Sequence, residues 1–291
     1  MNKVRIFLFS LCGEFIKLYY SLLGHYMRYG LNKKSNRKER IIVSLTSYGR
    51  RVSKILPYAL ISLLRQTYKP DLILVWLDEV HWNKDNLPKQ LQRLQKYGVT
   101  VRFCRDIKSY KKLIPTLECY PEDLIITCDD DLYYNKNMIE RLMNAWNSNP
   151  NRIYTLRAHS VTFSRQGDLL PYNEWVKEIR DSVGHNVFPT GGAGCLYKRS
   201  LLHCDICKEE LFMKLAPMAD DVWFYFMEIL KGTQRVILSF EKKYAYIPLD
   251  VFYQYLHKTS NLSNFNCKES QNDLQIQNIM NYYKLHIEDL K

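Results

Sequence analysis

Three consecutive carboxylates, Asp129, Asp130 and Asp131, directly follow the apolar run Leu124-Ile125-Ile126-Thr127-Cys128. A short run of apolar and β-branched residues bounded by polar ones reads as a buried, parallel strand. Three like charges at its end repel one another and call for a compensating cation. In open α/β sheets, ligands lie outside the carboxyl ends of the strands. Hard oxygen ligands at that place suit Mn2+ or Mg2+, with substrate phosphates completing the shell. The plainer alternative is an acidic turn or helix cap, and three acids in a row after a strand weigh against it.

A second acidic pair, Asp220-Asp221, precedes Val222-Trp223-Phe224-Tyr225-Phe226 and a helix expected to run to Leu230. One Asp at a helix start is explained by capping, whereas two adjacent acids leave one free to take a proton. The segment Phe188–Cys195 holds three glycines within four residues, Gly191, Gly192 and Gly194. Glycine there permits positive φ and close backbone approach to a ligand. The segment lacks the Lys-Ser/Thr of a P-loop and does not fit the dinucleotide fingerprint. His257 falls in a polar loop, after an aromatic strand expected over Val251–Tyr255. His203-Cys204-x-x-Cys207 is half of a zinc pattern, and no second pair at knuckle spacing accompanies it.

Residues so far apart need a scaffold, and from Ile41 onward strand and helix patterns alternate. Strands are expected at Ile41–Leu45, Leu72–Leu77, Val99–Phe103, Leu124–Cys128 and Arg152–Leu156. Helices are expected around Ile55–Leu64, Lys89–Tyr97, Tyr110–Cys119 and Met138–Trp146. This alternation implies βαβ units, a mostly parallel sheet and right-handed crossovers. The strand ends at Thr46–Arg51, Asp78-Glu79 and Cys104–Asp106 then gather on the edge that carries the acid triplet, where a nucleotide could lie. Arg50 or Arg51 could pair with phosphates or stack on a base. Asp78 could accept hydrogen bonds from a ribose or base, and Lys111 or Lys112 could reach a diphosphate.

The formal charge of +12 is unevenly spread: residues 1–40 hold nine basic and two acidic residues. Residues 4–29 are apolar, but Glu14 and Lys17 interrupt them, so they lack the uncharged stretch of about 18 residues that a transmembrane helix needs. No small-residue cleavage site marks a signal peptide. Ser10, Glu14, Lys17, Ser21, His25 and Arg28 recur every three or four residues as one polar stripe. Phe7, Leu11, Phe15, Leu18, Leu22 and Tyr26 form a broad apolar face. Such a helix can lie in a membrane interface, with the basic run Lys33–Arg40 against anionic headgroups. The alternative is an amphipathic helix packed on the body of the protein. No recognised nucleic-acid motif accompanies the basic run, so nucleic acid is not expected as a partner. The eight scattered cysteines suit reduced thiols in the cytosol.

From about Ile41 to His257 the chain resembles glycosyltransferases of GT-A fold, especially the family 2-like bacterial group. Ile42-Val43-Ser44-Leu45-Thr46-Ser47-Tyr48, followed by a helix ending Ser62-Leu63-Leu64-Arg65-Gln66-Thr67, looks like that group's opening strand and S-x-x-x-Q helix. Asp129-Asp130-Asp131 matches its D-x-D motif, and Gly191-Gly192-Ala193-Gly194 its glycine loop beside the donor sugar and acceptor. Ala219-Asp220-Asp221 falls where the group carries x-E-D. The resemblance implies an α/β, Rossmann-like fold that binds a nucleotide-sugar donor, a UDP-sugar foremost, and a glycan or lipid-linked acceptor of envelope polysaccharide synthesis. It implies Mn2+ or Mg2+ at Asp131, with Asp129 assisting and His257 as a late ligand. Thr46, Ser47, Tyr48, Arg50, Arg51, Asp78, Lys112, Asp129, Asp130, Gly191 and Gly192 would line the donor site. Asp221 or Asp220 would be the catalytic base of an inverting transfer.

On this reading residues 1–40 form a basic, amphipathic segment at the inner face of the cytoplasmic membrane. Residues 41–291 form the transferase domain, with a nucleotide-binding half to residue 135 and an acceptor half from 136. Trp175 is either an acceptor-stacking or a core residue, and Arg157 and His159 are acceptor-side candidates. Two other readings compete. A haloacid-dehalogenase-type phosphatase also carries D-x-D after a strand, but near the domain start and usually followed by Thr. A non-catalytic, membrane-tethered sugar-nucleotide binder would keep the fold without turnover.

Overall fold

The apolar runs lie side by side at the centre of an eight-stranded sheet in the computed structural model, which describes residues 3–23, 30–32, 37–239, 245–257 and 271–291. Its strands are β1 (Ile41–Thr46), β2 (Leu72–Asp78), β3 (Val99–Cys104), β4 (Leu124–Cys128), β5 (Leu132–Tyr134), β6 (Arg152–Thr155), β7 (Ala158–Ser160), β8 (Val183–Gly184), β9 (Val187–Pro189), β10 (Ala193–Tyr197), β11 (Gln234–Ile237) and β12 (Tyr246–Pro248). Its helices are α1 (Lys3–Leu23), α2 (Arg51–Lys54), α3 (Leu56–Leu64), α4 (Lys89–Gln95), α5 (Ile114–Cys119), α6 (Met138–Ser148), α7 (Glu209–Leu215), α8 (Asp220–Lys231), α9 (Val251–His257) and α10 (Gln271–Tyr283).

The main sheet runs β3-β2-β1-β4-β10-β6-β11-β8. β1 to β4 are mutually parallel, so their carboxyl ends share one edge, as the alternating pattern predicts. β10 is antiparallel to both β4 and β6. β1 and β4 are almost wholly buried along their length, which explains their unbroken apolar sequences. Strands from both sides of residue 135 share this one sheet. α3 is buried at every position. Each such Leu or Ile contributes about 1.5–3 kcal/mol relative to exposure.

Two expected helices are broken. The segment around Tyr110–Cys119 begins as a 3-10 turn over Lys108–Lys112, and α5 starts only at Ile114, with Pro115 in its first turn. The segment leading to Leu64 divides at Ile55, where ring-constrained Pro57 opens α3. The aromatic strand expected over Val251–Tyr255 is instead the helix α9, begun by the bond from Gln254 N–H to Asp250 O (3.0 Å). Aromatic and β-branched residues favour strands only where a neighbour pairs with them, and this segment packs on α1.

None of the seven described cysteines is in a disulfide; Cys267 lies outside the described residues, as do His25, Tyr26, Arg28, Lys33 and Lys34. Trp175 is a core residue, 3% exposed, with its indole N–H donating to Leu170 O at 2.9 Å.

Candidate active site

The acid triplet forms the turn between β4 and the short β5. Ser62 and Gln66, one helical turn apart at the end of α3, set the far side of that turn. Ser62 Oγ accepts from Tyr134 N–H (3.0 Å); Gln66 donates to Asn135 O (2.8 Å) and accepts from Ile139 N–H (3.0 Å). The near side is set by the glycine loop. Asp129 N–H donates to Gly192 O (2.9 Å), and the Tyr134 hydroxyl donates to the same carbonyl (2.5 Å). The Asp129 carboxylate lies flush on the Gly192 backbone: a Cβ added there would fall 1.6 Å from Asp129 Oδ2. Glycine at 192 is therefore a requirement of close approach, independent of φ.

A second chain reversal completes the site. β12 pairs antiparallel with β5, and Leu249 N–H donates to Asp131 O (2.8 Å), which delivers Asp250 beside the triplet. Arg51 then reaches three carboxylates: Asp130 (3.1 Å), Asp131 (3.0 Å) and Asp250 (3.1 Å). Arg50 pairs with the other oxygen of Asp250, and its guanidinium lies over the Tyr253 ring. Ser47 Oγ donates to Asp130, which is buried. Burial pushes the Asp131 carboxyl up to about 7, with Asp130, Asp129 and Asp250 reinforcing and Arg51 opposing.

On the other side of Asp129 stands Lys112, 5% exposed, at the end of the 3-10 turn. Its ammonium lies 2.9 Å from Asp220, 3.4 Å from Asp129 and 3.7 Å from Asp221. Burial alone would lower this lysine's pKa, but Asp220, Asp129 and Asp221 together hold it well above the ordinary value. Asp220 and Asp221 are the first two residues of α8, after Ala219 at the cap position, where the helix dipole favours negative charge. Asp220 Oδ1 accepts from Ser109 Oγ (2.8 Å), and its buried Oδ2 forms an ion pair with Lys112 (2.9 Å) without a hydrogen bond among the described residues. Asp221 is more open: Oδ1 accepts from Gly191 N–H (3.0 Å), and its side chain is 30% exposed. Burial pushes the Asp221 carboxyl up to about 6, with Lys112 opposing and Asp220 and Asp129 adding to the rise.

The expected residues divide by position. Ser47, Arg50, Arg51, Lys112, Asp129, Asp130, Asp131, Gly191, Gly192, Asp220 and Asp221 come together at the carboxyl edge of β1 and β4. Thr46 and Asp78 turn to local bonds. Thr46 Oγ1 donates to Trp76 O (2.8 Å). Asp78 accepts from His81 N–H (2.9 Å) and meets its ring nitrogen at 2.6 Å. Burial would raise the Asp78 carboxyl, but these contacts hold it below the usual range. Tyr48 is 58% exposed, with Arg51 over its ring. Lys111 is buried and bonded to Asp106. Lys112, expected within reach of a diphosphate, is paired with Asp220, Asp129 and Asp221. His257 is the exposed last residue of α9, its ring against Tyr253 (4.1 Å between centroids), not a residue of a polar loop. Among the described residues, Asp129, Asp131 and His257 do not converge as one cluster of ligand atoms.

Two participants, Asp250 and Ser109, had no local signal in the sequence. Asp250 is an isolated acid that only the β12–β5 pairing brings in. Ser109 acts through a turn that the helical pattern concealed. The acceptor-side candidate Arg157 sits beside the glycine loop, its backbone carbonyl accepting from Thr190 N–H (3.0 Å), and its Nε is buried without a hydrogen-bond partner among the described residues. His159 is buried, and burial, with Lys177 and Arg157 nearby, pushes its pKa down to about 3, so it is neutral. His203, Cys204 and Asp205 cluster separately, but Asp205 is already held by Lys208 (2.7 Å) and the Tyr283 hydroxyl (2.9 Å).

The donor set suits a hard divalent cation. Six carboxylates (Asp129, Asp130, Asp131, Asp220, Asp221 and Asp250) outnumber the three cations paired with them, Lys112, Arg50 and Arg51. Asp129 and Asp131 are the more exposed acids of the triplet, with side chains 41% and 25% exposed. Oxygen donors in that number match Mg2+ or Mn2+ chemistry.

The sequence profile of glycosyl transferase family 2 matches residues 42–206, more than half of the chain, taking in the acid triplet and the glycine loop. No curated protein matches the sequence. Among solved structures, the mannosyltransferase PcManGT from Pyrobaculum calidifontis, in complex with GDP-Man and Mn2+, is 12% identical, with a TM-score of 0.43 over 80% of this chain and 65% of that one. S. aureus TarS is 14% identical, with a TM-score of 0.42 over 75% of this chain and 64% of that one. This chain thus spans somewhat under two thirds of the length of each. At scores this low they add nothing to the family match, which also leaves the phosphatase reading without support. On that match, with its acid turn and glycine loop on the carboxyl edge of a mostly parallel sheet, the chain belongs to glycosyl transferase family 2 and is a glycosyltransferase.

Proposed function

We propose that the enzyme moves a sugar from a nucleotide-sugar donor, a UDP-sugar foremost, to a hydroxyl of a glycan or lipid-linked acceptor in bacterial envelope polysaccharide synthesis, with inversion at the anomeric carbon. The observation that carries this reading is the bridge made by Lys112 between the D-x-D acid Asp129 and the pair Asp220-Asp221. One buried ammonium lies 3.4 Å from a donor-side acid and 3.7 Å from a base candidate.

Asp131 and Asp129 would hold a divalent cation, which when bound offsets charge on the departing diphosphate. Asp221 is the base: its Oδ2 is uncommitted, and a carboxyl raised to about 6 is a stronger proton acceptor than an ordinary aspartate while still ionised at pH 7. The acceptor hydroxyl gives its proton to Asp221 as its oxygen bonds to the anomeric carbon. The bond from that carbon to the diphosphate oxygen breaks, and the diphosphate leaves with the electron pair. Asp220 acts on Lys112 and Ser109 as a positioning residue. Gly191 N–H fixes the orientation of Asp221, and Gly192 lets Asp129 sit against the loop. Arg51, anchored by Asp250, holds Asp130 and Asp131 in place.

We place the enzyme in the cytoplasm, in peripheral contact with the inner face of the membrane through residues 1–40. Among the described residues no helix is long and apolar enough to cross a membrane. The first test is thermal stabilisation by UDP and GDP, with and without Mn2+, on the wild type and Asp131→Ala. Metal-dependent stabilisation lost in the variant supports the donor site and names the base. Equal stabilisation of both proteins would refute metal binding at Asp131, and no stabilisation by any nucleotide would sink the donor reading.

A further inference from the structure

The N-terminal helix packs through a mixed face, with Ile16 and Tyr20 against the core and much of its polar stripe beside them. On a helix resting on a globular body, the apolar stripe ordinarily faces inward. In α1 the inward positions include Ser10 (5% exposed), Gly13, the half-buried pair Glu14 and Lys17 (2.6 Å apart), and Tyr20. Gly13 lies so close to the return strand that a Cβ would fall 2.5 Å from Pro248 O. Tyr20 is bonded through its hydroxyl to Tyr133 (2.7 Å) and stacks on that ring. The outward positions are Phe15 (68% exposed), Leu18 (56%), Tyr19 (46%) and Leu22 (61%). Their spacing of three and four residues makes one continuous stripe. Much of the polar stripe is thus spent on the protein, and four large apolar side chains are left facing out.

We infer that this stripe docks the enzyme onto an anionic lipid surface, with α1 lying flat in the interface. Charge complementarity selects lipid over a second copy of the chain. The segment carrying the stripe holds nine basic and two acidic residues in its first forty, so two such segments would repel each other, whereas anionic headgroups attract them. Among the described residues, Arg65 is an exposed cation on the flank of the helix, over the Tyr20 ring and 3.3 Å from the Tyr133 hydroxyl. Tyr19, on the same stripe, is a residue type that settles at the boundary between headgroup and acyl chain. α1 also packs on β12 and α9. These elements flank Asp250, so the lipid-facing helix adjoins the acid site. The inference rests on the membrane contact proposed above and assigns it to one face of one helix.

The test is flotation of the full-length protein with phosphatidylcholine vesicles containing about one third phosphatidylglycerol. It compares the wild type, the triple variant Phe15→Ser/Leu18→Glu/Leu22→Glu, and Leu274→Glu as a control on the exposed side of α10. All three stripe positions are exposed, so melting temperatures are expected to agree with the wild type. Wild type and control should float and the triple variant should lose at least tenfold in apparent affinity. Undiminished flotation of the triple variant would overturn the stripe while leaving membrane contact through the basic run intact. Failure of the wild type to float would overturn both. A dimer in sedimentation that the triple variant abolishes, without flotation, would make the occupant a second copy. None of these readouts depends on sugar transfer, so the transferase reading stands or falls apart from them.

Discussion

Two buried charge clusters in this molecule look alike in composition and differ in purpose. Around Lys112, one ammonium faces three carboxylates, and the cluster opens on one side through Asp129 and Asp221. On the far end of α8, Glu228 and Arg235 pair at 3.4 Å, both fully buried. There the guanidinium is spent on backbone: it donates to Val187 O (3.1 Å), Thr233 O (2.8 Å) and His185 O. Burial pushes the Glu228 carboxyl up to about 8, against the pull of Arg235, so at pH 7 the pair is largely a neutral acid beside a carbonyl-saturated cation. A closed cluster whose cation is saturated by backbone carbonyls is scaffolding. An open one with more acids than cations holds negative charge available for a metal and a proton.

This contrast can be broken by substitution. Asp221→Asn, which removes the base and keeps the shape, should cost about 10²–10⁴-fold in turnover; release of nucleoside diphosphate from the donor would measure it, with donor affinity unchanged. Lys112→Met leaves three carboxylates without their counter-charge and should destabilise the fold by about 3–5 kcal/mol at pH 8 in urea unfolding. That deficit should shrink toward pH 5 as Asp221 takes up a proton. Arg235→Met should cost about 3 kcal/mol through its orphaned carbonyls, with little change between pH 5 and 7 because Glu228 stays protonated. If the two variants respond to pH identically, the distinction between the clusters fails.

Gly192→Ala forces Asp129 off the loop and should weaken Mn2+-dependent nucleotide binding by about tenfold, or 1.4 kcal/mol, with the melting temperature little altered; calorimetric titration would read it. The acid limb of turnover should fall at about pH 6, since Asp221 must be ionised to accept a proton and is protonated below that value. A further effect concerns stability. The folded protein holds the Glu228 proton up to about pH 8, whereas the unfolded chain releases it near the ordinary value for a glutamate. Stability should therefore decline as pH rises from about 4.5 to 8 and level off above. Glu228→Gln should flatten that slope in thermal melts.

Much of the scaffold was legible in the chain because its signals are local. β1, β2 and β4 are nearly unbroken apolar runs, and a strand buried on both faces can be little else, whereas the edge strand β3 alternates apolar and polar residues. The acid triplet and the glycine loop are legible for the same reason, each being a few adjacent residues whose chemistry is unusual together. Failures came where a local preference was overruled from a distance. Val251–Tyr255 has strand-favouring residues but no strand beside it to pair with. Its helix carried His257 to an exposed end, out of the polar loop expected for it. The partners of Lys112 were not legible because two of the acids that claim it, Asp220 and Asp221, lie more than a hundred residues onward. The amphipathic stripe of α1 was visible, but which side would meet the protein was not.

By itself, the sequence determined the class of fold, the edge of the sheet where ligands gather and the two acidic groups that could act there, because hydrophobic period and carboxylate repulsion are properties of neighbouring residues. Tertiary structure alone decided that Asp250 joins the site through β12, that Lys112 bridges the two acidic groups, that Asp221 is more open than Asp220, and that α1 turns an apolar stripe outward. Each of these depends on which distant segments pack together, and that is set by the sum of many weak contacts over the whole chain rather than by any residue's neighbours.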